Sequence, residues 1–244
     1  MKLILGLISL IFSHGVFAQA QGLNLPGMSV NFGQGADLVD TLQLLSIFTI
    51  ITLAPAILVL CTCFTRIIVI MAFIRQAIGT QNMPPNQLLV GFSLFLTFFI
   101  MQPTAQRMYD HSISPYMEKK VTSVQAIKGI EHELRGFMSK QVRKTDLQLF
   151  YDITGTSLPS TINDVPTHFL IPSFIISELK TAFQIGFLLY LPFLILDMVI
   201  ASILMAMGMM MLPPVIVSFP FKLLLFVLVD GWHLVTGSVI RSFN

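Results

Sequence analysis

The stretch that decides the fold is Asp197-Met-Val-Ile-Ala-Ser-Ile-Leu-Met-Ala-Met-Gly-Met-Met-Met-Leu-Pro-Pro214. It begins with a carboxylate in an apolar run and then carries five methionines within seven residues: Met205, Met207, Met209, Met210 and Met211. Methionine side chains are unbranched and flexible, so a cluster of them packs against varied neighbours. Gly208 loosens the helix backbone, and Pro213-Pro214 stops a helix from continuing. The stretch predicts a helix end whose methionines are either core filler or a deformable apolar constriction.

Composition places the chain in lipid or in a large apolar assembly. Charged residues make up 11% of the chain, whereas soluble domains carry about 25%. The net charge of +2 is too small to indicate a nucleic-acid partner. Cys61 and Cys63 are two residues apart in an apolar run, which points them to different sides of a helix. We therefore expect neither a disulfide nor a shared metal ion.

The N-terminal residues 1–20 are predicted to be a secretory signal peptide. Lys2 is followed by an apolar run over 3–12, and either Ala18 or Ala20 ends a small-residue cleavage site. A transmembrane helix is the weaker alternative, because the run is shorter than the ~20 residues that a span needs. Cleavage would place the mature N-terminus outside the cytoplasm. Residues 21–41 are rich in Gly, Asn and Gln, and we interpret them as a flexible linker.

Residues 42–106 are predicted to form a first apolar helical hairpin. The apolar run 42–74 would be roughly 50 Å long as one helix, against a hydrocarbon core of ~30 Å. It therefore either kinks at Pro55 or is partly buried in protein. A polar loop with Pro84-Pro85 leads to the shorter run 88–101, which we expect Pro103 to end.

Residues 107–180 are predicted to form a helical periplasmic domain. They hold nine of the fourteen basic and eight of the twelve acidic residues, a balance typical of a soluble domain. Apolar residues at three- and four-residue steps predict an amphipathic helix over 122–150, with Thr122 and Gln125 as a capping box. Residues 152–166 are predicted to be a loop. Pro172 should open the next helix, which runs into the uncharged segment 181–196 as one rod.

Residues 181–244 are predicted to form a second apolar hairpin around the methionine stretch. Its last apolar run covers 215–229 and is followed by Trp232, an aromatic residue suited to a membrane interface. The predicted fold is therefore all-α, with four membrane-type helices in two hairpins and a helical domain between them. With the N-terminus outside, both Pro-Pro loops would lie on the cytoplasmic side.

Four ionisable residues lie inside apolar runs: Arg66, Asp197, Lys222 and Asp230. A charge at the centre of a bilayer costs a few kcal/mol, so such residues normally face protein or water and pair. We expect Asp197 or Asp230 to pair with Lys222 or Arg66, within or between subunits. The alternative is a proton or ion relay, as in transporters.

Catalytic motifs are absent from the sequence. The five histidines have no metal-ligand spacing, and neither H-E-x-x-H, G-x-S-x-G, a P-loop nor G-x-G-x-x-G occurs. We therefore predict a protein that is not an enzyme and has no catalytic, cofactor or metal site.

The chain from about residue 42 to the C-terminus resembles the FliP family of flagellar export-gate proteins. The segments that carry the resemblance are Leu53-Ala-Pro-Ala-Ile57, Phe64-Thr-Arg-Ile-Ile68, Arg75-Gln-Ala-Ile-Gly-Thr-Gln81, Pro84-Pro-Asn-Gln87, Phe95-Leu-Thr-Phe-Phe-Ile100, Ser177-Glu-Leu-Lys-Thr-Ala-Phe-Gln-Ile-Gly-Phe187, Pro192-Phe-Leu-Ile-Leu-Asp197, Met207-Gly-Met-Met-Met-Leu-Pro-Pro214 and Phe221-Lys-Leu-Leu-Leu-Phe-Val-Leu-Val-Asp-Gly-Trp232. The loop over 152–166 carries little of it.

The resemblance implies a core pore-forming subunit of the type III protein export gate in the inner membrane, at the flagellar basal body. It implies a homo-oligomer, a pentamer, with the R, Q and B subunits of the gate and with unfolded flagellar proteins as substrates. Met209, Met210 and Met211 would form a gasket, supported by Met205 and Met207. The alternatives are the virulence injectisome homologue, an ion or small-molecule transporter that uses Asp197 and Lys222, and a purely structural anchor.

Overall fold

The structure is a computed structural model. It describes residues 23–25, 28–30, 42, 45–46, 48–49, 52–53, 56–57, 59–80, 83–209 and 211–243. The predicted signal peptide lies outside them. The chain divides into two compact units, one up to Ala54 and one from Pro55 onward. We describe each unit by itself.

The first unit contains a pair of short strands that the sequence analysis did not predict. β1 (Leu23–Leu25) pairs antiparallel with β2 (Met28–Val30), with Leu23 opposite Val30. Both strands fall within the predicted linker 21–41. The sequence does carry a signal for them, because apolar residues alternate on both sides of Pro26-Gly27, a turn dipeptide.

The second unit is helical. Residues 56–57 and 59–60, the described residues of this unit before 61, are in helical conformation, and a turn at 61–63 precedes the first long helix. The elements that follow are α1 (Phe64–Ile78), α2 (Asn86–Met108), a π-helical turn (Tyr109–Ile113), α3 (Ser114–Met117), α4 (Ser123–Gln141), α5 (Lys144–Thr154), a 3-10 turn (Ile162–Asp164), α6 (Thr167–Ala206), α7 (Pro214–Leu228) and α8 (Gly231–Arg241).

The main core forms where α1 packs against α6. Ile67, Ile70, Met71 and Ile74 of α1 recur at three- and four-residue steps and are buried. Gly186 of α6 allows this close approach, because a Cβ at that position would lie 2.8 Å from the ring of Phe73. α7 packs against both helices of this pair.

A second core lies between α4, α5 and the start of α6, in the domain predicted over 107–180. Met138, Leu147, Leu170 and Phe174 are among its buried residues. The predicted capping box at the start of α4 is confirmed, since the Thr122 side chain accepts from the backbone N–H of Gln125 while the Gln125 side chain accepts from the Thr122 N–H.

The prediction of one amphipathic helix over 122–150 is wrong, because the chain breaks between α4 and α5. Val142 and Arg143 have extended backbones. The N–H of Arg143 donates instead to the Ser177 Oγ at 3.0 Å, and that hydroxyl donates to the Asp146 carboxylate at 2.6 Å. A hydroxyl from α6 thus compensates for the interrupted helix.

Prolines interrupt fewer helices than expected. Pro103 lies inside α2, so the prediction that it ends this helix is wrong. Pro172 lies inside α6, which begins five residues earlier, at Thr167. A proline removes one backbone hydrogen bond and can kink a helix, but the helix continues where surrounding contacts hold the rest of it. The predicted rod is present: α6 runs unbroken from the charged domain through the apolar segment.

Two described helical stretches are long and apolar enough to cross a membrane: Asn86–Met117 and Thr167–Ala206. α7 and α8 would make a third if they form one span despite the 64° bend between them. The stretch that starts in α2 is therefore longer than the fourteen-residue run that the sequence indicated. The arrangement of four membrane-type helices in two hairpins, with a periplasmic domain, stays a prediction.

Candidate functional site

The methionine stretch forms the tip of the hairpin between α6 and α7. α6 ends at Ala206, and Gly208 adopts a left-handed backbone with φ of +74°. The N–H of Gly208 donates to the Met205 carbonyl and the N–H of Met209 to the Leu204 carbonyl, each at 3.0 Å. This pair of bonds is a Schellman motif, which favours glycine at the left-handed position. Gly208 therefore defines where the helix stops.

The methionines of the tip are exposed within this chain. The exposed fraction is 58% for Met205, 59% for Met207, 41% for Met209 and 98% for Met211. Met210 lies outside the described residues. Side chains that filled this chain's own core would be buried, so these methionines instead form an apolar surface at the end of two helices. Pro213 precedes α7 and Pro214 is its first residue, where a missing N–H costs nothing.

An ion pair between a buried lysine and a partly buried aspartate joins α6 to α7 behind this tip. The Lys222 Nζ lies 2.6 Å from Oδ2 of Asp197, and the Ser218 hydroxyl donates to Oδ1 of the same carboxylate at 2.5 Å. Only 3% of the Lys222 side chain and 24% of the Asp197 side chain are exposed. The two charges that the sequence analysis singled out in these helices therefore meet within the chain.

Arg66 meets neither Asp197 nor Asp230. Its guanidinium forms two hydrogen bonds with the Glu178 carboxylate, that from Nε being 2.9 Å long, and both side chains are buried. It also donates to the Ser242 carbonyl at 2.8 Å and lies 3.8 Å from the centre of the Phe243 ring. Arg66 thus ties α1 and α6 to the segment that follows α8.

Glu178 was missed as a site residue because the sequence assigned it to the charged domain. The available signal was its place on the predicted rod, one helical turn before the uncharged segment 181–196. A carboxylate that close to an apolar segment is a candidate partner for an arginine in another apolar segment.

Asp230 has a different place from the one we expected. It is exposed and has a left-handed backbone with φ of +50°, directly before α8. Aspartate tolerates this conformation better than most residues with a side chain. The structure assigns Asp230 to the bend between α7 and α8 and brings it to neither predicted cation.

The other Pro-Pro pair also lies at the start of a helix. α1 ends at Ile78, the following Gly79 has a φ of +86°, and Pro84-Pro85 directly precedes α2. Arg75 at the end of α1 donates to the Asn86 side chain at the start of α2. A Cβ on Gly79 would lie 3.6 Å from the Lys222 Nζ, so this loop is a neighbour of the Asp197–Lys222 pair.

Groups that could hold a metal ion do not occur among the residues that the structure describes. No three His, Cys, Asp or Glu side chains there converge on one point. Cys61 and Cys63 are buried free thiols.

The fold and the site define a helical protein of membrane type, with long apolar helices joined by buried ion pairs and an exposed methionine tip. Residues 47–239 match the model of the FliP family. The flagellar biosynthetic protein FliP of Bacillus subtilis is 51% identical over 204 residues, which cover 84% of this chain and 92% of that protein. The protein of the same name from Aquifex aeolicus is 45% identical over 96% of this chain and 97% of its own length.

The chain belongs to the FliP family, and the resemblance seen in the sequence is confirmed. It is accordingly a component of the flagellar export apparatus.

Proposed function

We propose that this chain is a pore-forming core subunit of the flagellar type III export gate. In this role it passes unfolded flagellar proteins across the inner membrane. The observation that carries the proposal is the exposed methionine tip, which a Schellman motif and a Pro-Pro pair hold at the end of a two-helix hairpin.

The chemistry of the tip suits a seal around a moving polypeptide. A substrate presents side chains of every size, and thioether side chains change rotamer at little cost to pack against each of them. An apolar constriction also excludes ions by keeping water out when no substrate is present. Met209 to Met211 would form this gasket, with Met205 and Met207 behind them.

The ion pair behind the tip gives the gasket a firm base. Asp197 lies nine residues before the end of α6, or roughly 14 Å along the helix. Its bond to Lys222 fixes α7 against α6 at that depth, so the tip is held by both helices while its methionines remain free to move. Both oxygens of Asp197 have partners, which favours a bracing role over a proton relay.

A pore needs several copies, and this chain has surfaces that copies or partners would cover. α2 exposes Phe95, Phe98 and Phe99 in its apolar half, and α6 exposes Phe187 and Leu188 in its own. Clusters of exposed aromatic and aliphatic side chains such as these lie against lipid or another protein. The proposed assembly is a pentamer with the R, Q and B subunits of the export gate, with residues 107–180 on the periplasmic side.

Replacing the three methionines tests the proposal. We expect the triple variant Met209→Ala, Met210→Ala and Met211→Ala to assemble, to export filament protein and to leak small ions. The matched control replaces three exposed methionines outside the tip, Met83, Met117 and Met198, with alanine. This control should not leak.

Two measurements on the same cells separate the outcomes: the rate of ion leakage and the amount of secreted filament protein. Export without leakage in the triple variant would refute the gasket. Solute or proton flux from this chain in the absence of other export proteins would favour a transporter instead.

A further inference from the structure

A pocket of about 270 Å³ lies where α8 bends away from α7, between these two helices and α6. The two helices meet at 64°, so α8 leaves a gap beside the end of α7. The bend is tight at Gly231, since a Cβ there would lie 2.3 Å from the Phe226 ring. The pocket is separate from the methionine tip and from the Asp197–Lys222 pair.

The pocket has an apolar lining and the size of an aromatic ring system. All the described residues that line it are apolar. Phe193, Phe226 and Val235 are buried in it, whereas Pro192 and Val229 are exposed at its mouth. An apolar cavity of about 150 Å³ binds benzene, so this larger pocket can take a substituted ring or a fused pair of rings.

The mouth of the pocket also carries a backbone acceptor. Pro192 lies inside α6 and has no N–H, so the carbonyl of Leu188, one turn earlier, lacks its helical donor. Both residues line the pocket. Covering this carbonyl with another protein costs free energy unless the incoming group supplies a hydrogen bond. The pocket therefore fits an aromatic ring that bears one N–H or O–H group.

We infer that this pocket receives the tyrosine or tryptophan side chain of another subunit of the export gate. Tyrosine and tryptophan combine a large apolar ring with one donor, and both are enriched among the residues that carry the binding energy of protein interfaces. Leu188 already belongs to the surface of α6 that a neighbouring protein would cover. The inference rests on the proposed function, because it requires a second protein on this face.

The anchoring side chain comes from a different protein rather than from a second copy of this chain. Tyr190 and Trp232 are the only tyrosine and tryptophan in the long helices α1, α2, α6, α7 and α8. Tyr190 packs against its own core, and Trp232 contacts the rings of Phe92 and Phe226 edge-on. Both side chains are therefore occupied within their own chain, and the remaining tyrosines lie in the charged domain over 107–180.

Photo-crosslinking from the mouth of the pocket tests which protein enters it. Benzoylphenylalanine replaces Leu188 in cells that make the complete export apparatus, and mass spectrometry identifies the crosslinked peptides. The control position is Ile203, which is also exposed on α6 but lies outside the pocket. We expect position 188 alone to crosslink to a different subunit, within about one helical turn of a tyrosine or tryptophan. A crosslink to a second copy, to a segment without either residue, or to no protein would overturn the inference.

Substitutions in the pocket test its contribution to binding. Val229→Phe would fill the mouth, and Val227→Phe is the matched control at an exposed valine that does not line the pocket. We expect Val229→Phe to reduce the amount of the crosslinked subunit that copurifies with the full chain at least about tenfold. Val227→Phe should leave this amount unchanged, and equal losses with the two variants would overturn the inference.

The hydrogen bond is tested by Pro192→Ala, which returns an N–H to α6 and satisfies the Leu188 carbonyl within the helix. This variant should retain about fivefold less of the partner without a lower Tm, so the loss of the partner is not a loss of fold. An unchanged amount of partner would refute the role of the carbonyl.

Failure of this inference is distinguishable from failure of the proposed function. If the pocket variants keep the partner while the methionine variant leaks, the export function stands without this anchor. If the unchanged chain copurifies with no other subunit, the proposed assembly fails as well.

Discussion

The Asp197–Lys222 pair should be worth more to this protein than a pair of surface charges. Replacing Lys222 with methionine keeps the volume of the side chain but leaves the Asp197 carboxylate without its cation. The carboxylate would keep the hydrogen bond from Ser218 and the quarter of its surface that is exposed. Breaking a buried pair by removing one partner typically costs 3–5 kcal/mol, whereas exposed pairs contribute about 1 kcal/mol or less.

We expect a loss of about 3 kcal/mol, at the low end of that range, because Asp197 is only partly desolvated. For a chain of this length the loss corresponds to a fall in Tm of roughly 6–12 °C. The double variant Asp197→Leu with Lys222→Met should recover most of it, since apolar residues of similar volume often replace a buried pair at little cost.

The measurement is a double-mutant cycle on the unfolding of the detergent-solubilised protein, with export of filament protein followed in parallel. Lys144→Met, at an exposed lysine of α5, is the control for a lost charge and should leave Tm unchanged. A coupling energy below about 0.5 kcal/mol would refute the bracing role, because the two side chains would then act independently. The double variant would also be export-competent, whereas a proton relay requires the charges.

Two further predictions concern packing and pH. Gly186→Ala should destabilise the protein by about 1–3 kcal/mol in chemical denaturation, because the new Cβ would lie 2.8 Å from the Phe73 ring. Gly136→Ala is the control, because this helical position has open space around it, and it should stabilise the protein by up to about 1 kcal/mol. Equal effects would contradict the close approach of α1 and α6. The hydrogen bond with His111, together with Arg107, lowers the pKa of Glu133. The ionised Glu133 should therefore stabilise the folded protein fully above the ordinary carboxyl pKa, and this contribution should be lost as pH falls through the lowered pKa. Glu133→Gln should make stability less dependent on pH below the ordinary carboxyl pKa, as measured in a series of denaturations at acid pH, and an unchanged acid dependence would contradict this role.

Local signals in the sequence predicted local structure well. The capping residues Thr122 and Gln125 were recognised because a capping box depends on two side chains three positions apart. The end of α6 was recognised for the same reason, since Gly208 and the Pro-Pro pair act on the backbone at their own positions. The prolines at 103 and 172 were misjudged, because whether a helix survives a proline depends on what packs around it.

By itself, the sequence determined that this is a helical, membrane-type member of its family with a methionine tip between two apolar helices. Composition and residues close together in the chain are sufficient for that. Only the tertiary structure decided that Arg66 pairs with Glu178, 112 positions away, and that Lys222 pairs with Asp197 rather than Asp230. It also decided that the helix predicted over 122–150 is interrupted at Val142 and Arg143, where Ser177 accepts the hydrogen bond of the Arg143 N–H. The physical reason is that an ion pair forms between whichever charges the packing of helices brings together, and spacing along the chain does not encode that distance.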